Sequence, residues 1–266
     1  MFEQLTPAIR GLVLDMDGVL WKDMSTIGDL ARVFGRMHAA GLKVTLATNN
    51  ATMTVDQYLK KLAGFGVALE PWQIVTSSHG VAATLSKEFP EKGLVFVVGE
   101  AGVIDALCEA GFQTITDPED GTPVVAVVGS MDRALSYRKL SRAMTHLRAG
   151  ARFYGTNPDA TFPTPAGLVP GAGSMIAAIQ TASGVAPVII GKPSPFMFQL
   201  CAERMGLPMN EILSVGDRLE TDVAGGQAVG ARTAVVLSGV STREQVAAWK
   251  PQPDIIAPDL TALVGA

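Results

Sequence analysis

Two aspartates, Asp15 and Asp17, flank a single residue directly after the apolar run Gly11-Leu12-Val13-Leu14 and just before Gly18. A short apolar run closed by a turn signal reads as a buried strand, so both carboxylates stand at its tip. Carboxylates that close repel one another unless something compensates. The usual compensation is a divalent cation held by hard oxygen ligands. A carboxylate can also attack a phosphoryl group and split one difficult displacement into two easier ones. Asp15 is the candidate nucleophile. Asp17 suits the acid that protonates a departing alkoxide and then the base that deprotonates water.

Three more strand candidates end in polar residues. Lys43–Ala47 runs into Thr48-Asn49-Asn50, Val188–Ile190 into Gly191-Lys192-Pro193, and Glu211–Val215 into Gly216-Asp217, with Asp222 five positions later. Ligands of open α/β sheets bind beyond the carboxyl ends of the strands, so the four tips can converge on one crevice. The Thr48 hydroxyl and the Asn49 backbone N–H are candidate donors to a phosphate, and Asn50 counts with them as a substrate-binding residue. Lys192 supplies a positive charge against a substrate dianion and the attacking carboxylate, the electrostatic task phosphoryl transfer most needs. Asp217 completes an oxygen shell for Mg2+ with Asp15 and the Asp17 carbonyl. Asp222 orients that shell or the lysine.

The elements that must position these residues alternate along the chain. The first strand candidate spans Gly11–Asp15, and further ones are Gln73–Thr76, Leu94–Val98, Val124–Val128, Arg152–Tyr154 and Arg232–Leu237. Between strands lie helical spacings such as Leu30, Val33, Phe34 and Met37 before Gly41, and Leu140, Ala143, Met144 and Leu147 before Gly150. Strands alternating with helices imply parallel sheets under helical cover, and unalternated apolar strands are those buried on both faces. The Pro- and Gly-rich stretch Asn157–Gly173 reads as the longest irregular segment. In it Asn157 and Asp159 either face a substrate or stabilise their own loop. Gly171-Ala172-Gly173 reads as a tight entry to a helix over Ser174–Ala182 rather than a dinucleotide fingerprint. His146 is expected on the solvated side of its helix.

Composition removes whole classes of function. With 266 residues, 48% hydrophobic and 17% charged, the chain can bury a large core. A net charge of −4 and the absence of basic runs argue against nucleic acid or an acidic membrane surface as partner. Cys108 and Cys201 stand far apart, as free thiols of a reducing compartment do. No apolar run approaches the ~20 residues that span a bilayer, and Asp15 interrupts the one candidate leader. A cytoplasmic protein is expected.

The four motifs, in this order, resemble those of the haloacid dehalogenase-like superfamily. Asp15-Met16-Asp17-Gly18-Val19-Leu20-Trp21 is similar to its first motif, Thr48-Asn49-Asn50 to its second, Gly191-Lys192-Pro193-Ser194-Pro195 to its third and Gly216-Asp217-Arg218-Leu219-Glu220-Thr221-Asp222 to its fourth. Thr156-Asn157-Pro158-Asp159, Pro170-Gly171-Ala172-Gly173 and Ser238-Gly239-Val240 resemble the branch of nitrophenylphosphatases, ribonucleotide monophosphatases and phosphoglycolate phosphatases. The resemblance implies an α/β fold with a doubly wound, Rossmann-like parallel-sheet core over 1–77 and 184–266. It also implies a smaller α/β cap inserted over 78–183, because the long gap lies between Thr48 and Lys192. The implied activity is Mg2+-dependent hydrolysis of small phosphorylated metabolites through an aspartyl-phosphate. Transfer to a second acceptor and non-catalytic binding of a phosphometabolite are the alternatives. A cap-mediated homodimer is compatible with the resemblance, which leaves oligomeric state open.

Overall fold

A computed structural model of the chain describes residues 5–22, 24–117, 119, 121–164 and 167–265. The chain forms two compact units, one of Met1–Thr48, Asp56–Val75 and Lys192–Ala266, the other of Asn49–Val55 and Thr76–Gly191.

The first unit is built on a six-stranded sheet in the order Ile255–Ala257, Arg232–Val236, Ile212–Gly216, Gly11–Leu14, Lys43–Thr48, Ile74–Thr76. Gly11–Leu14 lies inside the sheet, pairing parallel with Ile212–Gly216 on one side and Lys43–Thr48 on the other. All four of its residues are buried, so Leu12 and Leu14 on one face and Val13 on the other are all covered, as in parallel sheets packed on both sides. On the Val13 side, Met197, Phe198, Cys201 and Met205 of the helix Pro195–Met205 pack with Ala47, Val75 and Ile212. The helix Leu30–Ala39 starts where Asp29 accepts a hydrogen bond from the Arg32 N–H. It buries Leu30, Val33 and Met37, three of the residues on its expected apolar stripe or beside it.

Order in this sheet reverses at its middle. From Gly11–Leu14 the chain steps outward to Lys43–Thr48 and Ile74–Thr76, then returns to the other side with Ile212–Gly216, Arg232–Val236 and Ile255–Ala257. This is the doubly wound α/β fold, and its topological switch point lies between Gly11–Leu14 and Ile212–Gly216. Asp15 continues that pairing, its N–H donating to the Val215 carbonyl at 2.9 Å. Asp15 and Asp217 therefore follow the two strands that bound the switch point.

The second unit has its own parallel sheet, ordered Val188–Ile189, Arg152–Gly155, Ala126–Gly129, Leu94–Val98, Gln113–Ile115. Its core joins Phe96, Val98 and Val127 of the sheet to Ala143 and Leu147 of the helix Tyr137–Arg148 and Ile176 and Ile179 of the helix Ala172–Ser183. The strand leading to Lys192 is thus part of this sheet, pairing Val188 with Tyr154.

Several local features differ from the sequence reading, the strand Gln113–Ile115 and the ribbon Trp21–Lys22 with Ser25–Thr26 among them. Inside Asn157–Gly173, Thr161–Thr164 and Gly167–Pro170 form an antiparallel hairpin, in which Leu168 is exposed and Val169 half-buried. His146 is buried against the Phe96 ring at a centroid distance of 5.2 Å. Ala143, His146 and Leu147 lie three and four residues apart, on one helix face. The edge strand Ile255–Ala257 follows Lys250-Pro251-Gln252-Pro253, whose prolines mask it as loop.

Candidate active site

Lys192 is the hub of the first unit's switch point. Its ammonium donates to Asp15 Oδ1 at 2.8 Å, to Asp222 Oδ1 at 2.6 Å and to the Ala47 carbonyl at 2.8 Å. Three protons thus meet three acceptors. The lysine side chain is only 3% exposed and those of Asp15 and Asp222 12% and 2%. Water therefore screens these charges little. Lys192 acts on its two carboxylates and the strand tip at Ala47.

Asp222 is held at both oxygens. Oδ2 accepts from the Arg218 N–H at 3.2 Å and the Thr221 hydroxyl at 3.3 Å, and Oδ1 from Lys192. It sits in a π-helical turn, Leu219–Val223, whose wide winding brings the side chain back toward the strand end. Asp217 differs. Oδ2 accepts from the Val240 N–H at 2.8 Å, while Oδ1 is buried and, among the described residues, accepts no hydrogen bond.

Two glycines make room for Asp217. Gly18 has a φ of 81°, in the left-handed region, and a Cβ there would overlap the Asp217 carboxylate. A Cβ on Gly239 would overlap the same group. The Gly18 carbonyl accepts from the Ser238 hydroxyl at 2.7 Å, which ties the two loops.

Asp15, Asp217 and Asp222 can each offer an oxygen within 4.8 Å of the others. Three carboxylates against one ammonium leave two negative charges uncompensated when all are ionised. The titrations follow. Burial raises Asp15 to about 7 although Lys192 opposes the shift, and burial with the Asp15 charge raises Asp217 to about 6. Asp222 is raised by burial against the pull of Lys192. Burial works against the charge on Lys192, yet Asp15 and Asp222 hold its pKa above the ordinary value. A divalent cation would supply the missing positive charge, and the open Asp217 Oδ1 gives it a ligand. The donor set is all oxygen, which suits Mg2+.

Asp17 is exposed and lies just beyond this cluster. Its Oδ1 accepts from the Trp21 indole N–H at 2.9 Å. Thr48 is buried and shares a side-chain hydrogen bond with Tyr58, whose hydroxyl is pushed up by burial and by the Asp17 charge. Trp21 and Tyr58 were not among the expected residues. The turn that returns Trp21 to Asp17 is a local cue, whereas nothing in the spacing joins Tyr58 to Thr48.

Asn49 and Asn50 group with the second unit. The Asn49 amide donates to Asp159 Oδ2 at 3.2 Å, and the Asn157 amide donates to the same oxygen at 2.6 Å. Asn157 and Asp159 thus stabilise their loop. Asn50 Oδ1 accepts from the Thr52 N–H at 3.0 Å and hydroxyl at 2.8 Å, closing a local turn.

A family model of haloacid dehalogenase-like hydrolases matches residues 12–113, and a second HAD-like hydrolase model matches 189–263. The chain is 35% identical over 259 residues to phosphoglycolate phosphatase 1A, chloroplastic, of Arabidopsis thaliana, covering 90% of this chain and 72% of that protein. Its structure is similar to a p-nitrophenyl phosphatase from Archaeoglobus fulgidus, with a TM-score of 0.89, 30% identity and coverage of 97% and 99%. It is also similar to a glycerol phosphate phosphatase from Mycobacterium tuberculosis solved in complex with magnesium, with a TM-score of 0.87, 30% identity and coverage of 96% and 76%. The chain belongs to the haloacid dehalogenase-like hydrolases, in the group whose named members are phosphatases.

Proposed function

We propose that this chain is a Mg2+-dependent phosphomonoesterase that hydrolyses small phosphorylated metabolites by way of a phosphoryl group carried on Asp15. The observation that carries the reading is the buried Lys192 bonded to Asp15 and Asp222 beside an Asp217 oxygen left open. The relatives' names, a phosphoglycolate, a nitrophenyl and a glycerol phosphate phosphatase, share one substrate class, and one of those structures holds magnesium.

Asp15 and Asp217, with the Asp17 carbonyl, would hold the cation, which when bound offsets negative charge on the phosphate and the carboxylates. Lys192 orients Asp15 by fixing its Oδ1 and lowers the repulsion between carboxylate and substrate dianion. The Asp15 carboxylate forms an O–P bond as the bond from phosphorus to the leaving oxygen breaks. Asp17 gives that oxygen its proton. Water then attacks phosphorus, Asp17 recovers a proton from it, the Asp15–phosphate bond breaks, and inorganic phosphate leaves. The Thr48 hydroxyl and the Asn49 N–H bind non-bridging oxygens, with Asn50 shaping their turn. Asp222 keeps Lys192 charged and in place.

We assign residues 78–183 as the inserted cap domain. Among the described residues no helix is long and apolar enough to cross a membrane. Cys108 and Cys201 are both free, which agrees with a cytoplasmic setting. The test is phosphate release from 4-nitrophenyl phosphate and glycerol phosphate with Mg2+ or with EDTA. Turnover that requires the cation is expected. Absence of release under both conditions defeats the proposal.

A further inference from the structure

Trp21 has no assigned part in this chemistry, yet it makes the side-chain contact that fixes the proposed acid. From the geometry we infer that Trp21 is a positioning residue: its indole N–H fixes the Asp17 carboxyl so that Oδ2 alone carries the proton to the leaving oxygen. The inference rests on the reading of Asp17 as general acid and base.

The local backbone brings the indole to that place. After Asp15 the chain turns back on itself: the Leu20 N–H donates to the Met16 carbonyl at 2.8 Å and the Gly18 N–H to the Trp21 carbonyl at 2.8 Å. Trp21 then opens a two-stranded ribbon, pairing with Thr26. Four residues after Asp17, its indole N–H reaches Asp17 Oδ1 at 2.9 Å.

The ring itself is fixed. Trp21 is 1% exposed. Lys61 Nζ, from the helix Val55–Gly64, stands 3.9 Å from the ring centroid, within cation–π range. Phe65, just past that helix, packs at a centroid distance of 6.0 Å and a tilt of 40°. Asp17, by contrast, is exposed and would otherwise sample several rotamers. A buried ring packed against Lys61 and Phe65 thus holds an exposed carboxyl.

The chemistry of the donor sets the result. An indole N–H can donate and cannot accept, so the carboxyl oxygen facing it must accept, a role that the carbonyl oxygen of a protonated carboxyl fills better than its hydroxyl. The acid proton therefore resides on Oδ2. General acid help depends on such placement, because proton transfer needs hydrogen-bond reach to the leaving oxygen. Binding of the phosphate, shared by all substrates, does not.

The test compares kcat/KM, which reports phosphoryl transfer to Asp15 and not the later attack of water, for 4-nitrophenyl phosphate, whose nitrophenolate leaves without protonation, and for butyl phosphate, whose alkoxide does not. Wild type, Asp17→Asn and Trp21→Phe are measured with Mg2+. Trp21→Phe is expected to lose about tenfold in kcat/KM on butyl phosphate and less than about twofold in kcat/KM on nitrophenyl phosphate. Asp17→Asn is expected to show the same bias at larger size. If Asp17→Asn is biased and Trp21→Phe slows both substrates equally or neither, the positioning role of Trp21 is overturned while the acid role of Asp17 stands. If Asp17→Asn shows no bias, the acid reading fails and the inference with it. Should Trp21→Phe fail to fold, site-specific benzothienylalanine at position 21, which keeps the ring shape and replaces N–H by sulfur, decides by the same two rates.

Discussion

Each of the two sheets has a topological switch point, and the two are opposite in charge balance. In the first, the loops after Gly11–Leu14 and Ile212–Gly216 crowd Asp15, Asp217 and Asp222 around one ammonium. In the second, the switch lies between Leu94–Val98 and Ala126–Gly129. There Arg133 pairs with Glu100 at 2.7 Å, and Lys139 pairs with Asp132 at 2.8 Å. Glu100 and Asp132 at the second crest each have a cation, while the first is left short of positive charge. At the first, Asp15 and Asp217 are pushed to about 7 and about 6, and Asp222 is raised as well. The same architecture thus yields a frame in one unit and a reactive, cation-seeking site in the other. The difference lies in what the loops leave uncompensated.

Breaking the first site should have the largest consequences. Asp15→Asn removes the attacking carboxylate and should lower kcat by at least about a thousandfold, with an unchanged circular dichroism spectrum. Lys192→Met leaves Asp15 and Asp222 buried without their counter-charge. It should cost about 3–5 kcal/mol in urea unfolding, together with most of the activity. Retention of stability by that variant would contradict the charge balance described above.

A subtler break uses pH. Asp15 and Asp217 are raised in the folded protein, so the folded state holds protons that the unfolded chain has released. Their favourable contribution is fully present below the ordinary carboxylate pKa near 3.8 and is lost as pH rises through about 6 to 7. Metal-free protein should therefore lose stability across that window relative to Asp217→Asn, which cannot ionise at that position. Mg2+ should raise the melting temperature of wild type more at pH 8 than at pH 5. Equal Mg2+ shifts at both pH values would remove the cation from the account.

The smallest effect belongs to the second switch point. The Arg133–Glu100 pair is 59% and 22% exposed, so Glu100→Gln should change stability by only about 0–1 kcal/mol and leave turnover of nitrophenyl phosphate within about twofold of wild type. A large loss of activity would show that the two crests are not as different as their charges suggest.

Much of the first site was legible because each motif residue follows an apolar run, and a parallel sheet gathers such tips at one edge. Asp15 and Asp217 meet as their strand-end positions imply, with Asp222 beside them, whereas Lys192 follows a strand of the other sheet, so that rule alone does not account for its place. The spacing could not reveal that Lys192 spends its third proton on the Ala47 carbonyl, since that bond depends on how the strand end is cut. Nor could it join Tyr58 to Thr48, which sit on different elements. The hairpin at Thr161–Thr164 was hidden by Pro163, Pro165 and Pro170, a composition that reads as loop. His146 was misplaced because its polarity outweighed its phase on the helix, although Ala143 and Leu147 share its face.

The most direct measurement is an acid quench of the enzyme turning over labelled phosphomonoester, followed by mapping of the labelled peptide. One phosphoryl group is expected on the peptide that carries Asp15, discharged by hydroxylamine as an acyl phosphate is, and none in Asp15→Asn. An unlabelled peptide from wild type during steady turnover, with Asp15→Asn releasing phosphate at the parental rate, would contradict it.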